Sequence, residues 1–202
     1  LTPSEIEDEI AKGTVVLDVR MPKHFESGFI PSAINIGKAG MFAPWVGTIM
    51  SPNSNMIIIC NPNEEREVIS RLARVGYEKI IGFMCGVDEW KKDKRSLDNI
   101  ASISPKEILS HIKNSIKILD VRGQDELKSG FVKNSIHIPV QELENSLNEI
   151  EISENYLVYC GSGYRSMIAC SILKSKGFNN IKNIYGGFNA ISQNIDISSL
   201  II

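Results

Sequence analysis

The stretch Tyr156-Leu157-Val158-Tyr159-Cys160-Gly161-Ser162-Gly163-Tyr164-Arg165-Ser166 sets the architecture of this chain. An apolar run ends at a cysteine. A six-residue loop, 160–165, follows, and Ser166-Met167-Ile168-Ala169-Cys170-Ser171-Ile172-Leu173 opens a helix. The reading is strand, tight loop, helix. Two glycines let the loop backbone curl into a cup whose amides point inward. The helix adds the positive end of its dipole. These terms favour a thiolate over a thiol. The same cup would hold the anionic atoms of a substrate. The expected chemistry is a nucleophilic sulfur in an anion cradle, with Cys160 as the nucleophile.

The surroundings of this stretch occur twice. Leu17-Asp18-Val19-Arg20 returns as Leu119-Asp120-Val121-Arg122, Ser27-Gly28-Phe29 as Ser129-Gly130-Phe131, and Ile34-Asn35-Ile36 as Ile136-His137-Ile138, each 102 positions later. Cys60 precedes Cys160 by 100 positions; Gly76-Tyr77 and Gly86 precede Gly177-Phe178 and Gly187 by 101. The chain is therefore two copies of one unit of ~90 residues. A polar stretch runs from Lys91 through Ser102. It sets the expected domains at 1–96 and 103–202, with a linker at 97–102.

Each copy alternates strand and helix. In the second, Ser104-Pro105-Lys106-Glu107 has the form of a capping box and opens a helix. Strands are expected at 116–121, 135–139, 156–160 and 181–185. Helices are expected at 140–150, at 166–176 (amphipathic, closed by Gly177) and at 187–193. Short apolar strands between helices imply an α/β fold: two tandem domains, each a mainly parallel sheet covered by helices on both faces. Ligands of such sheets sit at the carboxyl ends of the strands, where Cys160 falls.

Composition narrows the function classes. Of 202 residues, 43% are hydrophobic and 23% charged, with a formal net charge of -2. No general basic surface is available for nucleic acid or membrane. No apolar run approaches the ~20 residues of a membrane-spanning helix, and no secretory signal opens the chain. The four cysteines, at 60, 85, 160 and 170, form no C-x-x-C pair. They are expected to be reduced thiols of a cytoplasmic protein. The three histidines, at 24, 111 and 137, are scattered, so no metal-ligand cluster and no cofactor are expected. The chain begins Leu1-Thr2-Pro3-Ser4 without methionine, and is expected to be processed or part of a longer protein.

The repeated elements, with the Cys160 loop, resemble the rhodanese (sulfurtransferase) family over nearly the whole chain, twice. The early Asp-x-Arg element stands at Asp18/Arg20 and Asp120/Arg122. The following Glu-aromatic-x-x-Gly-His-Ile element is altered, with Phe29 and Phe131 in place of its histidine. The closing Gly-Gly element is Gly186-Gly187 in the second copy and is read as Cys85-Gly86 in the first. The resemblance implies two tandem rhodanese-like domains. Met41-Phe42-Ala43-Pro44-Trp45-Val46-Gly47, with the loop, also resembles the carboxyl-terminal tandem of fusions that carry a metallo-β-lactamase-like persulfide dioxygenase in front. That implies an inactive first domain, an active second one and an upstream domain outside this chain.

The loop residues divide the expected work. Gly161 and Gly163 shape the cup, and Arg165 fixes substrate charge or the loop itself. A cation there opposes the helix dipole, so a compensating anion is expected. Ser162 is either a hydrogen-bond donor to substrate or a turn residue. Tyr164 lines the rim, and Ser166 completes the substrate-binding set. In the first copy, Asn61-Pro62-Asn63-Glu64-Glu65-Arg66 follows Cys60. Pro62 removes an amide donor, no glycine closes a cup, and two glutamates repel an anion. The C-x5-R spacing matches a tyrosine phosphatase, but the repeat offset makes this loop one residue shorter, not longer. Cys60 is read as a structural remnant, Cys85 as packing or a relay thiol, and Cys170 as core. Asp120 and Arg122 are read as a buried structural pair.

The family resemblance and the loop imply double displacement. Cys160 takes the sulfane sulfur of a small anionic donor, thiosulfate or a persulfide, and passes it to a thiol or cyanide. The Cys-Gly-Ser-Gly start is also similar to mercaptopyruvate sulfurtransferases, so the donor stays open. The competing readings are a non-catalytic regulatory or sulfur-carrier module of a larger sulfide- or persulfide-oxidising protein, and an arsenate reductase or phosphatase-like enzyme. The latter needs a larger anion pocket than six residues give.

Overall fold

The computed structural model describes residues 1–112 and 116–202. The chain divides into two units, Leu1–Asn99 and Ile100–Ile202. The first contains α1 (Pro3–Ala11), β1 (Val15–Asp18), α2 (Pro22–Glu26), β2 (Ile34–Asn35), α3 (Phe42–Ile49), β3 (Met56–Cys60), α4 (Glu65–Ala73), β4 (Ile80–Cys85) and α5 (Asp88–Lys92). The second contains β5 (Ala101–Ile103), α6 (Ile108–Ile112), β6 (Lys117–Asp120), β7 (Ile136–His137), β8 (Tyr156–Tyr159), α7 (Tyr164–Ser175), β9 (Ile181–Ile184) and α8 (Gly187–Ser192).

Each unit is built on one parallel sheet. The strand order is β2-β1-β3-β4 in the first and β5-β9-β8-β6-β7 in the second. The two middle strands, β3 and β8, are buried at every position. That is the pattern of strands covered on both faces, and it explains their unbroken apolar sequences. Capping boxes start both units: Glu5 of α1 accepts from the Thr2 N–H at 2.7 Å, and Glu107 accepts from the Ser104 N–H at 2.8 Å.

The structure departs from the sequence-based expectation in four places. Residues 140–150 form turns and one short 3-10 segment, Leu147–Glu149. Val140, Leu143 and Ile150 are buried, but Asn145, Ser146 and Asn148 compete for backbone hydrogen bonds and favour turns. Helix α7 is not amphipathic at its start: every residue of 166–173 is buried. The expected linker is paired on both sides. Phe29 and Asp98 exchange backbone hydrogen bonds at 3.0 and 2.9 Å, and Ala101–Ile103 is a strand beside β9.

The fourth departure concerns register. Met56 pairs with Ile80, but Ile57 pairs with Gly82, so Ile81 is bulged out of the ladder. The bulge restores the residue that the shorter loop after Cys60 omits. Beyond it, Ile58 pairs with Phe83 as Val158 pairs with Asn183. Both strands are then offset by 100 between copies. Cys85, which pairs with Cys60, therefore stands at the level of Tyr185. Gly86 matches Gly186, and the two share a left-handed φ of 71° and 74°. This corrects the reading of Cys85-Gly86 as the counterpart of Gly186-Gly187.

Candidate active site

The second unit holds its site on a buried frame. Arg122 donates from Nε to Asp120 at 2.9 Å, from Nη2 to Asp120 at 2.6 Å and from Nη2 to the Gly130 carbonyl at 2.9 Å. Tyr159 donates its hydroxyl to Asp120 at 2.6 Å and accepts the Val132 N–H at 3.1 Å. Burial, then the Asp120 charge, pushes the Tyr159 hydroxyl above its ordinary range. The Arg122 guanidinium also lies over the Phe188 ring, 4.0 Å from its centroid. This frame closes β6 against the segment that carries Glu126, as the sequence reading of a structural Asp–Arg pair expects.

Cys160 follows β8 and is 1% exposed. The Gly163 N–H donates to Cys160 Sγ at 3.1 Å. Gly163 reaches this position with φ 104°, a left-handed value that glycine adopts without strain. The carbonyls of Cys160 and Gly161 accept the N–H groups of Phe188 and Asn189, at 2.6 and 3.0 Å, from the first turn of α8. In a trans peptide the N–H points opposite to the C=O. The Gly161 and Ser162 amides therefore face away from α8. Gly187 makes this contact possible: a Cβ there would lie 2.3 Å from the Cys160 carbonyl oxygen and 2.8 Å from Ser162 N.

Arg165 forms a two-pronged ion pair with Glu126, from Nη2 to Oε1 at 2.7 Å and from Nη1 to Oε2. Glu126 also accepts the Gly123 N–H at 2.9 Å. Arg165, then the Gly123 N–H, holds the Glu126 carboxyl below the usual carboxylate range, against burial. A Cβ on Gly161 would meet Arg165 Nη2 at 3.1 Å and Glu126 Oε1 at 3.5 Å. Of the two roles expected for Arg165, this geometry serves the second: the pair clamps the loop. The compensating anion is Glu126.

The three remaining residues of the expected set differ in exposure. Ser162 is exposed at the mouth, and Tyr164 is half-buried at the start of α7. Ser166 is fully buried, and its hydroxyl donates to Asn183 Oδ1 at 2.7 Å. Asn183 in turn donates to Ser102 at 3.0 Å. The Ser166 hydroxyl thus ties α7 to β9 and β5 and does not face substrate, contrary to expectation.

Comparison with known proteins bears on this geometry. The family model described as "Rhodanese-like domain" matches residues 2–93 and again 104–194. The chain belongs to the rhodanese-like domain family. It is 34% identical over 73 residues to YrkF of Bacillus subtilis, whose name describes a sulfur carrier; the match spans 36% of this chain and 40% of that protein. It is 28% identical over 75 residues to a protein of Allochromatium vinosum named sulfurtransferase, over 37% of this chain and 70% of that one. A rhodanese-related protein from Thermoplasma volcanium is 32% identical, with a TM-score of 0.45, over 50% of this chain and 97% of that one. The Bacillus and Allochromatium relatives are named for carrying or transferring sulfur. Among the described residues, no helix of this tandem rhodanese-like protein is long and apolar enough to cross a membrane.

The first rhodanese-like domain repeats the Asp–Arg pair, with Ile59 in place of Tyr159 beside it, but not the cup. Arg20 donates from Nε to Asp18 at 2.9 Å and from Nη2 to the Gly28 carbonyl at 3.0 Å, as in the second domain. Cys60 is fully buried. Burial first, then Cys85, then Glu65 and Glu64, pushes the Cys60 thiol up to about 12. Aligning the helices at Gly76 and Gly177 puts Glu64 where Arg165 stands, and the early repeat spacing puts His24 where Glu126 stands. The loop clamp is therefore absent, and its cation is replaced by an acid.

Sequence reading missed Glu126, Asn183 and the proximity of Cys85 to Cys60. Glu126 had a usable signal, because the uncompensated Arg165 at a helix start called for an anion. Asn183 and Cys85 gave none: their partners lie on neighbouring strands, and the bulge at Ile81 hides the register.

Proposed function

We propose that the second domain is a sulfurtransferase site in which Cys160 carries the sulfur. The Cys160 thiolate attacks the sulfane sulfur of an anionic donor. A new S–S bond forms at Cys160 as the donor's S–S bond breaks, and sulfite or a thiolate leaves with the electron pair. An acceptor thiolate or cyanide then attacks the terminal sulfur, and the Cys160 thiolate departs. No net oxidation occurs in the enzyme. The supporting observation is the Gly163 N–H on Cys160 Sγ, in a loop whose first two carbonyls are turned into α8. Amides aimed this way stabilise negative charge on the sulfur and on a terminal persulfide sulfur without moving.

The resemblance to persulfide dioxygenase fusions leads us to favour a low-molecular-weight persulfide over thiosulfate as donor. An upstream metallo-β-lactamase-like partner domain and a cytoplasmic setting belong to the same reading. The test is mass spectrometry after treatment with thiosulfate or glutathione persulfide. One added sulfur atom is expected on the wild-type chain and none on Cys160→Ser. An adduct that survives Cys160→Ser overturns the assignment.

YrkF supports a second reading, in which the chain carries sulfur without turning over. Steady-state assay with thiosulfate and cyanide separates the two. A carrier forms its adduct once and releases no thiocyanate.

A further inference from the structure

The first domain brings together two thiols and a carboxylate that no spacing in the sequence announces. Cys60 and Cys85 end adjacent parallel strands and are paired across the ladder. Glu65, the first residue of α4, turns its carboxylate onto them, since side chains lean toward a helix N-terminus. One ligand atom from each of the three residues lies within 4.8 Å of the others. We propose that Cys60, Glu65 and Cys85 form a site for a thiophilic d10 metal ion of the zinc type.

The Glu65 side chain carries the argument further than proximity does. Its Oε2 is buried, and among the described residues it has no hydrogen-bond partner. A buried carboxylate oxygen without a donor has lost its hydration and gained nothing in exchange. The second domain shows how the vacancy arises. There Ser166 occupies the position of Glu65, and its hydroxyl is satisfied by Asn183. In the first domain Phe83 stands where Asn183 does, so that position of β4 offers no polar partner. The positive end of α4 offsets part of the crowding of acids but gives Oε2 no N–H. Glu64 is engaged elsewhere, with Lys38 at 3.1 Å and Asn61 at 2.9 Å. Two thiols and this oxygen are donors that a cation would satisfy together.

The donor set suits such an ion. Zinc takes thiolate sulfur at about 2.3 Å and carboxylate oxygen at about 2.0–2.2 Å, which sets tetrahedral donors about 3.5–3.8 Å apart. A small contraction of the cluster reaches that spacing. As the two metal–sulfur bonds form, the protons of Cys60 and Cys85 go to solvent. Three protein donors leave a fourth position for water or a small thiol.

The test uses the full chain in a Cys160→Ser background, so that it does not depend on the sulfur-transfer reading. Cd2+ is titrated under a non-coordinating reductant and followed by thiolate-to-cadmium absorption and equilibrium dialysis. One equivalent is expected to bind with the absorption of two thiolates. Adding Cys85→Ser should halve the absorption per bound ion and weaken binding on the order of 100-fold. Adding Glu65→Gln, which preserves shape, should weaken binding roughly tenfold and leave the absorption per bound ion unchanged. Thermal melts confirm that each variant is folded. The site is overturned if one equivalent of Cd2+ gives no such absorption. It is also overturned if Glu65→Gln binds as tightly as its parent.

Discussion

Cys60 and Cys160 end equivalent strands of two copies of one unit, on equivalent Asp–Arg frames, and their surroundings are opposite. Around Cys160 the chain places Gly163 with its N–H on the sulfur, and Arg165 locked to Glu126. Around Cys60 it places Glu64, Glu65 and a second thiol. The Asp–Arg pair is common to both copies; the handful of residues after each cysteine is what differs.

The sharpest way to break this contrast is alkylation. With burial, Cys85 and the neighbouring acids pushing its thiol up to about 12, Cys60 stays protonated at pH 7. Iodoacetamide at pH 7, followed by peptide mass mapping, should label Cys160 at least ~100-fold faster than Cys60. Equal rates would erase the distinction between the two loops. The shared frame predicts equality instead. Asp18→Asn and Asp120→Asn each leave a buried guanidinium without its charge partner. Each should cost about 3–5 kcal/mol in denaturant unfolding. A much smaller loss in one domain would show that the frames are not equivalent.

Gly187→Ala and Gly86→Ala, which sit one position apart in the two copies because Gly86 matches Gly186, separate the domains again. The new Cβ at 187 meets backbone at 2.3 Å, whereas at 86 nothing lies within 4 Å. We expect about 2–4 kcal/mol of lost stability and a displaced loop for Gly187→Ala. Gly86→Ala should lose only about 1 kcal/mol, from its left-handed φ. The smallest effect concerns the clamp. Glu126 is held below its ordinary value of 4.5 by Arg165. Its contribution is present above that value and is lost as pH falls through the lowered one. With the Glu126 side chain 39% exposed, the loss in Glu126→Gln should be under about 1 kcal/mol at pH 7. The difference in melting temperature from wild type should vanish in strong acid. A difference that persists there would make the role of Glu126 steric.

Much of this was legible in residue order. The repeat, the alternation of strand and helix, the cup after Cys160 and the buried Asp–Arg pairs are all local patterns or spacings. The missed features are contacts between distant residues. Arg165 and Glu126 are 39 positions apart. Ser166 finds Asn183 only because α7 packs against β9. The turn-rich 140–150 segment was misread because its apolar spacing suits a helix while its asparagines and serine do not.

Sequence alone determined that the chain is a tandem of two α/β units and which cysteine sits in a glycine-lined loop, because strand and helix periodicity and loop chemistry are written in consecutive residues. Tertiary structure alone decided what Arg165 touches, that Ser166 is buried, and that Cys60, Glu65 and Cys85 meet. Parallel pairing joins segments far apart in the chain, and one bulged residue, Ile81, shifts which side chains face each other.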